Sequence, residues 1–299
     1  MKVSYIFSGQ GSQYIGMDEL FRNHPSYADK YFTISNEILG YNIHEIINKG
    51  PAEKLNNTKY TQPAIFIISA IANNIYTDKF GLANCCAGHS LGEITALYSS
   101  GVLEFEESLM LIQKRAEAMN RAGEINPGGM LALINADKDQ INLVLNNTAL
   151  SIANINSTKQ TILSGEIESI DASVTLCKEN KIKALKLPVS GAFHSSLMLN
   201  ASDALLETIN HLNFKDAIIP IYQNYNALST QNKDLIKINL IKQLTSPVLW
   251  KDTIDNMIKD NVLSFIEIGP RKVLTGINRT MNLNLNYNSF EDLIKNESI

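Results

Sequence analysis

The sequence has few cysteines, no long run of one charge and no long apolar run, and each shortage excludes a class of protein. Its three cysteines among 299 residues fit neither a disulfide framework nor the spacing of a metal site. The 26 Lys and Arg are outnumbered by 30 Asp and Glu and form no basic run, so we expect no nucleic-acid partner. No apolar stretch matches a membrane span or the core of a signal peptide. We therefore expect a cytoplasmic protein that contacts no membrane.

The abundant apolar residues fit a large α/β domain. Hydrophobic residues make up 44% of the chain and charged residues 19%, so the chain can bury a sizeable core. Short apolar runs that end at glycine turns alternate with longer segments of helical spacing, which is typical of a sheet with sites at the carboxyl ends of its strands. We expect strands at residues 3–7, 82–87, 218–222 and 263–268, and helical segments at 16–39, 62–80, 93–99 and 105–122.

The pattern changes within residues 125–190, which we predict to be a small domain inserted into a larger one made of residues 1–124 and 191–299. Four strand-like runs and two helical runs occur there in the order βαββαβ, which is typical of a ferredoxin-like arrangement. The expected strands are 130–134, 150–155, 161–164 and 182–189, and the expected helices are 138–145 and 167–178.

Residues 88–92 have the sequence Gly-His-Ser-Leu-Gly between an expected strand and an expected helix. In such a G-x-S-x-G turn the glycines relieve crowding, so the hydroxyl of Ser90 projects from a tight bend at a helix N-terminus. The amide of Leu91 would then point at the oxygen that becomes negative during acyl transfer. The alternative is a plain Gly-Ser turn in which Ser90 caps the helix. The strand–turn–helix context favours a nucleophile.

Five histidines are candidates for the general base that a serine nucleophile needs. His89 adjoins the serine, and neighbouring side chains in a sharp turn diverge. Three others lie in helical or polar segments, where a surface histidine is the simpler interpretation: His24, His44 and His211. His194 follows the last expected strand of the insert, in a turn rich in glycine and serine. The residues alone give His194 only a modest preference.

Five motifs occur in an order that resembles one enzyme family. They are residues 7–13 (Phe-Ser-Gly-Gln-Gly-Ser-Gln), 88–93 (Gly-His-Ser-Leu-Gly-Glu), 191–195 (Gly-Ala-Phe-His-Ser), 243–248 (Gln-Leu-Thr-Ser-Pro-Val) and 269–274 (Gly-Pro-Arg-Lys-Val-Leu). Together they resemble the malonyl-CoA:acyl-carrier-protein transacylases of fatty-acid and polyketide synthesis. The resemblance spans nearly the whole chain and implies a large hydrolase-like α/β domain with a parallel-sheet core and a ferredoxin-like insert.

The resemblance also implies catalytic roles. Ser90 would be the acylated nucleophile and His194 its base. Gln10 and Leu91 would supply the amides of the oxyanion hole. Gln243 would orient His194 through its backbone carbonyl, in place of the usual Asp.

Four further residues would contact the substrate if the resemblance holds. Arg115 matches the arginine that binds the free carboxylate of malonyl, because a guanidinium binds a carboxylate through two parallel hydrogen bonds. His89, Phe193 and Met119 would lie beside the acyl group, where Phe193 would narrow the pocket against an α-methyl branch. Without the resemblance, Arg115 would be interpreted as a solvated helix residue and Phe193 as part of the core.

The implied reaction is a ping-pong transfer through an ester on Ser90, with no metal and no tightly bound cofactor. Malonyl-CoA would be the substrate, and the partners would be a coenzyme A thioester and the phosphopantetheine arm of an acyl carrier protein. We expect a monomer. Two alternatives remain open: an acyl hydrolase or transacylase for another acyl group, and a non-catalytic scaffold that binds carrier proteins.

Two residues depart from the family's pattern. Ser8 replaces a usual Pro and would alter only the rigidity of the turn. Arg271 replaces a usual Gly and places a positive charge near a strand end. Carrier proteins are generally acidic, so we expect lysines and arginines near the cleft between the domains to bind them. The candidates are one face of the last strand of the insert, with Lys181, Lys183 and Lys186, and the pair Arg271 and Lys272. The alternative, which is left open, is that these charges only solvate a strand face.

Overall fold

The computed structural model describes residues 2–189, 191–281 and 285–296, so Ser190 at the predicted domain boundary lies outside it. Within these residues the strands are β1 (Lys2–Phe7), β2 (Cys85–Gly88), β3 (Gly128–Ile134), β4 (Ser151–Ser157), β5 (Gln160–Glu166), β6 (Lys183–Lys186), β7 (Ile221–Tyr222), β8 (Ser229–Thr230), β9 (Val262–Glu267) and β10 (Asn286–Ser289). The α-helices are α1 (Pro25–Leu39), α2 (Ile43–Lys49), α3 (Ala52–Asn56), α4 (Thr58–Phe80), α5 (Leu91–Ser99), α6 (Phe105–Ile125), α7 (Lys138–Asn147), α8 (Ile167–Glu179), α9 (Leu199–His211), α10 (Lys233–Gln243), α11 (Trp250–Lys259), α12 (Val273–Arg279) and α13 (Phe290–Lys295). Short 3-10 helices lie at Met17–Phe21 and Ser196–Met198.

The larger sheet has the order β10-β9-β1-β2-β7-β8, and its pairs are parallel except for β7 with β8. Alternate side chains of β1 enter two separate apolar clusters: Tyr5 and Phe7 lie in one and Ile6 in the other. A parallel sheet covered on both faces needs apolar residues at consecutive positions, and β1 and β2 have them. The carboxyl ends of β1, β2 and β7 therefore meet at one edge of this sheet.

Helix α4 lies in the core and is buried along most of its length. Its apolar residues face all sides, as expected for a helix that is covered all round. The side chain of Asn57 accepts a hydrogen bond from the amide of Lys59 at 3.0 Å and caps its N-terminus. Among its buried polar residues, Gln62 lies in the first turns and belongs to the site described below.

The smaller sheet is antiparallel, with the order β4-β5-β3-β6. With α7 and α8 it forms the βαββαβ unit expected from the sequence, so the predicted fold class is confirmed; the boundaries of the insert at 125 and 190 stay a prediction. Side chains of β3 alternate, with Leu131 and Leu133 packing under α7 and α8 while Met130 and Ala132 enter the core of the larger domain. Two backbone hydrogen bonds join β4 to the segment before α11, including Val248 N to Ala153 O at 2.8 Å.

Besides the starts of α4 and β2, which lie at Thr58 and Cys85 instead of 62 and 82, three predicted segments have wrong boundaries. The segment 16–39 is broken after the 3-10 helix, and α1 begins at Pro25, whose missing N–H is tolerated in a first helical turn. The expected strand 218–222 shrinks to β7, because Pro220 has no N–H to donate to a neighbouring strand. The expected strand 182–189 shrinks to β6.

The three lysines near β6 do not share one face, as the sequence analysis expected. Lys181 has φ 57° and lies before the strand. Lys183 and Lys186 are separated by an odd number of positions, so their side chains point to opposite faces of the sheet. Lys186 also pairs with Asp171 at 2.6 Å. Among the described residues, no helix is long and apolar enough to cross a membrane.

Candidate active site

Ser90 lies in a sharp turn between β2 and α5, as the sequence predicts. Its backbone has φ 54° and ψ −107°. The turn requires two glycines: a Cβ on Gly88 would lie 1.8 Å from Gly92 O, and a Cβ on Gly92 would lie 2.0 Å from Phe7 O. Because the backbones approach this closely, only glycine fits at both positions. The hydroxyl of Ser90 is thereby held at the carboxyl edge of the parallel sheet.

His194 lies next to this hydroxyl. The hydroxyl of Ser90 and Nε2 of His194 are 2.7 Å apart, and Nδ1 of His194 lies 2.9 Å from the backbone oxygen of Gln243. A carbonyl oxygen can only accept, so Nδ1 carries the proton and Nε2 is left to accept from Ser90. Burial, and then the positive charge of Arg115, lower the pKa of His194 to about 3. The imidazole is therefore neutral at neutral pH.

Arg115, on α6, is fully buried and reaches the same point. Its guanidinium donates to Oε1 of Gln62 at 2.7 Å, to Oγ of Ser90 at 3.0 Å and to Oε1 of Gln243 at 3.2 Å. Nε of Arg115 is buried and has no partner among the described residues, where no carboxylate lies within ion-pair distance of the guanidinium. Burial lowers the pKa of Arg115 to about 10, while the charge of Glu93 opposes the shift. The site thus holds a buried cation that contacts the hydroxyl of Ser90.

A cavity of about 110 Å³ surrounds these three side chains. It brings together all the site residues predicted from the sequence except Gln243, which contacts the site from beneath it. Its lining is Gln10, Gln62, His89, Ser90, Leu91, Arg115, Met119, Met130, Asn154, Leu187, Val189, Phe193 and His194. The amide of Leu91 is the first of α5, so the helix offers it no internal acceptor. That amide is free to donate to an oxygen beside Ser90.

His89 points away from Ser90 toward the small sheet. Its Nε2 lies 2.8 Å from Oδ1 of Asn156 and 3.4 Å from Nδ2 of Asn154. Burial lowers the pKa of His89, while the hydrogen bond that His89 donates to Oδ1 of Asn156 acts in the opposite direction. His89 is therefore a neutral wall of the cavity that is held by the insert.

The other histidines lie elsewhere. His44 contacts Asp18 at 3.0 Å and stacks on Phe32, His24 precedes α1, and His211 lies in the last turn of α9. The three cysteines are free and buried. Among the described residues, no cluster of three or more His, Cys, Asp or Glu side chains could hold a metal ion.

Sequence reasoning missed four polar residues that the structure brings to the site. Gln62 accepts from Arg115, and its own Nε2 contacts Sδ of Met119 at 3.4 Å. Glu93 and Asn224 lie fully buried behind Ser90, and Asn154 lines the cavity from the insert. No local signal distinguished Gln62 from other buried polar residues of α4, such as Thr61 and Asn73. Asn224 follows β7 at the carboxyl edge of the sheet, which is where an α/β protein places its site.

A second, larger cavity of about 560 Å³ adjoins the first and shares Gln10, Leu187 and Val189 with it. Arg271 lies at its wall, where the guanidinium is 5.4 Å from the ring centroid of Tyr14. Because the two cavities share lining residues, their combined lining extends from the exposed Arg271 to Ser90.

Comparison with known proteins identifies the family of this chain. The acyl transferase domain family matches residues 4–291. A malonyl CoA-acyl carrier protein transacylase of Synechocystis is 38% identical over 93% of this chain and 92% of the relative. The solved structure of the malonyl CoA-acyl carrier protein transacylase from Coxiella burnetii superposes with a TM-score of 0.94 at 30% identity, over 99% of this chain and 96% of that one.

A third relative was solved as a complex. It is a malonyl-transacylase bound to a type II polyketide synthase acyl-carrier protein, with a TM-score of 0.93 and 30% identity over 99% of this chain and 100% of that chain. The match covers the parallel sheet and the insert alike. The chain is an acyltransferase and belongs to the acyl transferase domain family, among the malonyl CoA-acyl carrier protein transacylases.

Proposed function

We propose that this protein transfers a malonyl group from malonyl-CoA to the phosphopantetheine thiol of an acyl carrier protein. The observation that carries the proposal is the buried guanidinium of Arg115, which lies 3.0 Å from the hydroxyl of Ser90 and has no carboxylate partner among the described residues. Malonyl differs from acetyl by one carboxylate, which would pair with this cation. An acetyl group would leave the buried cation unpaired, so the site would reject it as well as select malonyl.

The first half of the reaction forms an ester on Ser90. His194 takes the proton from the hydroxyl as Oγ attacks the thioester carbonyl. The amides of Leu91 and Gln10 stabilise the negative oxygen of the tetrahedral intermediate. The C–S bond then breaks, and the coenzyme A sulfur leaves with the proton from His194.

The second half reverses these steps with a different thiol. His194 takes the proton of the carrier's phosphopantetheine thiol, whose sulfur attacks the ester carbonyl. The ester C–O bond breaks, and the proton on His194 returns to Oγ of Ser90. The low pKa of His194 keeps the imidazole neutral before each half, so it can act as base in both.

The larger cavity is our proposed path for both thiols. A pantetheine arm is long and narrow, and it would pass Arg271 and Tyr14 before reaching Ser90. The smaller cavity has room for a group of a few heavy atoms beside the serine. An acyl group that fills it leaves little room for water, whose attack on the ester would compete with transfer.

The test is to incubate the protein with malonyl-CoA alone and to measure its mass. We expect an increase of one malonyl group, located on Ser90 by peptide mapping, and its disappearance on addition of a phosphopantetheinylated carrier protein. Ser90→Ala should remain folded and take up no label. Labelling of another residue, or label that water removes faster than the carrier does, would contradict the proposed function.

A further inference from the structure

We infer that Asn224 is a positioning residue for Ser90, because its side-chain amide bridges the backbone on both sides of the nucleophilic turn. Oδ1 of Asn224 accepts from the amide of Ser90 at 2.7 Å. Nδ2 of Asn224 donates to the carbonyl of Gly88 at 2.6 Å. The inference rests on the proposed function, since its consequence is the reactivity of Ser90.

The turn needs such a bridge because its own backbone is strained. Ser90 has φ 54° and ψ −107°, outside the regions that residues other than glycine favour. Residues in such conformations persist only where the surroundings fix them. Asn224 holds the backbone of the turn, while His194 contacts the hydroxyl of Ser90.

Asn224 is itself fixed by buried contacts. Its amide donates to Oε2 of Glu93 at 2.8 Å, and its carbonyl accepts from the amide of Leu249 at 3.0 Å. The other oxygen of Glu93 accepts from Nε2 of Gln223 at 3.1 Å. Asn224, Glu93 and Gln223 are all fully buried, and every polar group of Asn224 has a partner. These contacts hold the side chain of Asn224 in one orientation. Through its hydrogen bonds to Ser90 and Gly88, the side chain in turn holds the backbone of the turn.

Gln243 connects the same bridge to the base. Its Nε2 donates to the carbonyl of Ser90 at 3.0 Å and lies 3.4 Å from Oδ1 of Asn224. Its backbone oxygen holds Nδ1 of His194. The same network of amide side chains thus holds both the nucleophile and the base. A displacement of about 1 Å between reacting groups can cost about a hundredfold in rate.

The first test compares Asn224→Ala with Asn239→Ala. Asn239 is a matched control, because it is a buried asparagine in the same network but donates to Oε1 of Gln223 and does not contact the turn. Two rates are measured for each variant: single-turnover malonylation, and labelling of Ser90 by a small fluorophosphonate. The Michaelis constant for malonyl-CoA and the melting temperature complete the comparison.

For Asn224→Ala we expect both rates to fall by about ten- to a hundredfold with a Michaelis constant within about threefold of the parent. Asn239→Ala should stay within about threefold on both rates even where its melting temperature falls comparably. Equal rate losses in the two variants would overturn the inference, because they would reflect general loosening. If the two variants differ in fluorophosphonate labelling as expected but the parent takes up no malonyl group, the proposed function is contradicted. The positioning role of Asn224 then still stands.

The second test uses Asn224→Asp, which keeps the shape but replaces the donor by an oxygen. An ionised carboxylate cannot donate to Gly88 O, whereas a protonated one can, and burial raises the pKa of a carboxyl group. His194 stays neutral far into the acid range, so the parent's labelling rate should be flat where the variant's rises as the pH falls. A variant that labels at the parental rate even at alkaline pH, where its carboxyl group is ionised, overturns the inference. If this variant does not fold, the pair of alanine variants decides.

Discussion

The two sheets of this protein follow the same alternation of side chains but are covered differently. The parallel sheet is buried on both faces by helices, and its strand ends supply the turn after β1, Ser90 and Asn224. The antiparallel sheet covers one face with its own helices and packs the other against the larger domain. From that second face Met130 and Asn154 reach the cavity.

The two sheets therefore contribute different parts of the site: one supplies the groups that touch Ser90, and the other supplies walls of the cavity. The groups that touch the reacting hydroxyl come from the parallel-sheet domain, and they are held by hydrogen bonds between its helices and strand ends. The insert contributes walls of the cavity, and its Asn156 holds His89. Changes in the first region should therefore act on the rate or on the choice of acyl group, and changes in the second should act mainly on binding.

The largest expected effect beyond loss of the nucleophile is that of Arg115→Ala. A charge-assisted pair lost from a buried site is worth roughly 2–5 kcal/mol, and each ~1.4 kcal/mol is tenfold in rate. The kcat/KM for malonyl-CoA should fall by about two to three orders of magnitude, while that for acetyl-CoA is unchanged or rises. Arg115→Lys should recover only part of the loss, since an ammonium keeps the charge without the fork.

The measurement is kcat/KM for malonyl-CoA and for acetyl-CoA in the parent and in each variant. Lys114→Ala is the control, since Lys114 is an exposed neighbour on the same helix. If malonyl and acetyl transfer fall by the same factor in Arg115→Ala, then Arg115 supports the site in general and does not select the substrate.

A second prediction concerns pH and also separates the two roles of Arg115. The base must be neutral, so the rate falls as the pH drops through the pKa of His194, which is about 3 in the parent. The parent should show a flat rate of fluorophosphonate labelling between about pH 5 and about pH 8. Removing the nearby positive charge raises the pKa of His194, because a cation disfavours a second one. Burial, the larger cause, remains.

Arg115→Ala should therefore lose labelling at a higher pH than the parent does, with an acid limb that burial still keeps below the usual pKa of a histidine. His194→Ala should lose the acid limb altogether. An acid limb at the same pH in Arg115→Ala and in the parent would show that Arg115 does not act on the base.

Local features of the site could be predicted from the sequence, and features built by distant contacts could not. The turn at Ser90 depends on glycines within two residues, so the motif alone identified it. The contact of Asn224 with Ser90 joins positions 134 apart, and that of Gln243 with Ser90 joins positions 153 apart. No periodicity reports such a pair. The burial of Arg115 likewise results from packing of α6 against α4, and only the family resemblance identified its position.

The fold shows the same division. The βαββαβ order of the insert could be predicted from the sequence, because each element has the apolar spacing of a strand or of a helix. The last strand was predicted too long, because apolar spacing continues past Lys186 although only one further backbone hydrogen bond among the described residues, Leu187 N to Met130 O at 2.9 Å, joins that segment to β3. Pairing depends on the neighbouring strand, which the segment's own sequence does not encode.

The insert should give a smaller effect, which Asn154→Ala measures. Oδ1 of Asn154 is buried without a hydrogen-bond partner among the described residues, and the residue lines the cavity. One neutral hydrogen bond to the substrate is worth about 0.5–1.5 kcal/mol, so the Michaelis constant for malonyl-CoA should rise about two- to tenfold with little change in kcat. Asn147→Ala, exposed on α7 of the same insert, is the control. A loss in kcat alone would place Asn154 among the groups that act on the chemical step.

The smallest expected effect concerns docking of the carrier protein and compares the two regions directly. Arg271 is exposed at the wall of the larger cavity, whereas Lys183 lies exposed on β6 of the insert. Lys272 and Lys186 are already paired, with Asp292 at 2.9 Å and Asp171 at 2.6 Å, so they offer less charge to a partner. An acidic carrier that inserts its arm past Arg271 would be attracted there, and such attraction weakens as the Debye length shrinks.

We therefore expect Arg271→Glu to slow transfer to the carrier about three- to tenfold at low ionic strength and to have little effect at about 1 M salt. Lys183→Glu should change the rate by less than about twofold. Transfer to free pantetheine, which carries no acidic protein surface, should be the same in both variants and in the parent at every salt concentration. A larger effect of Lys183→Glu would move the docking surface from the parallel-sheet domain to the insert. Equal slowing with free pantetheine would show instead that Arg271 shapes the cavity and does not steer the carrier.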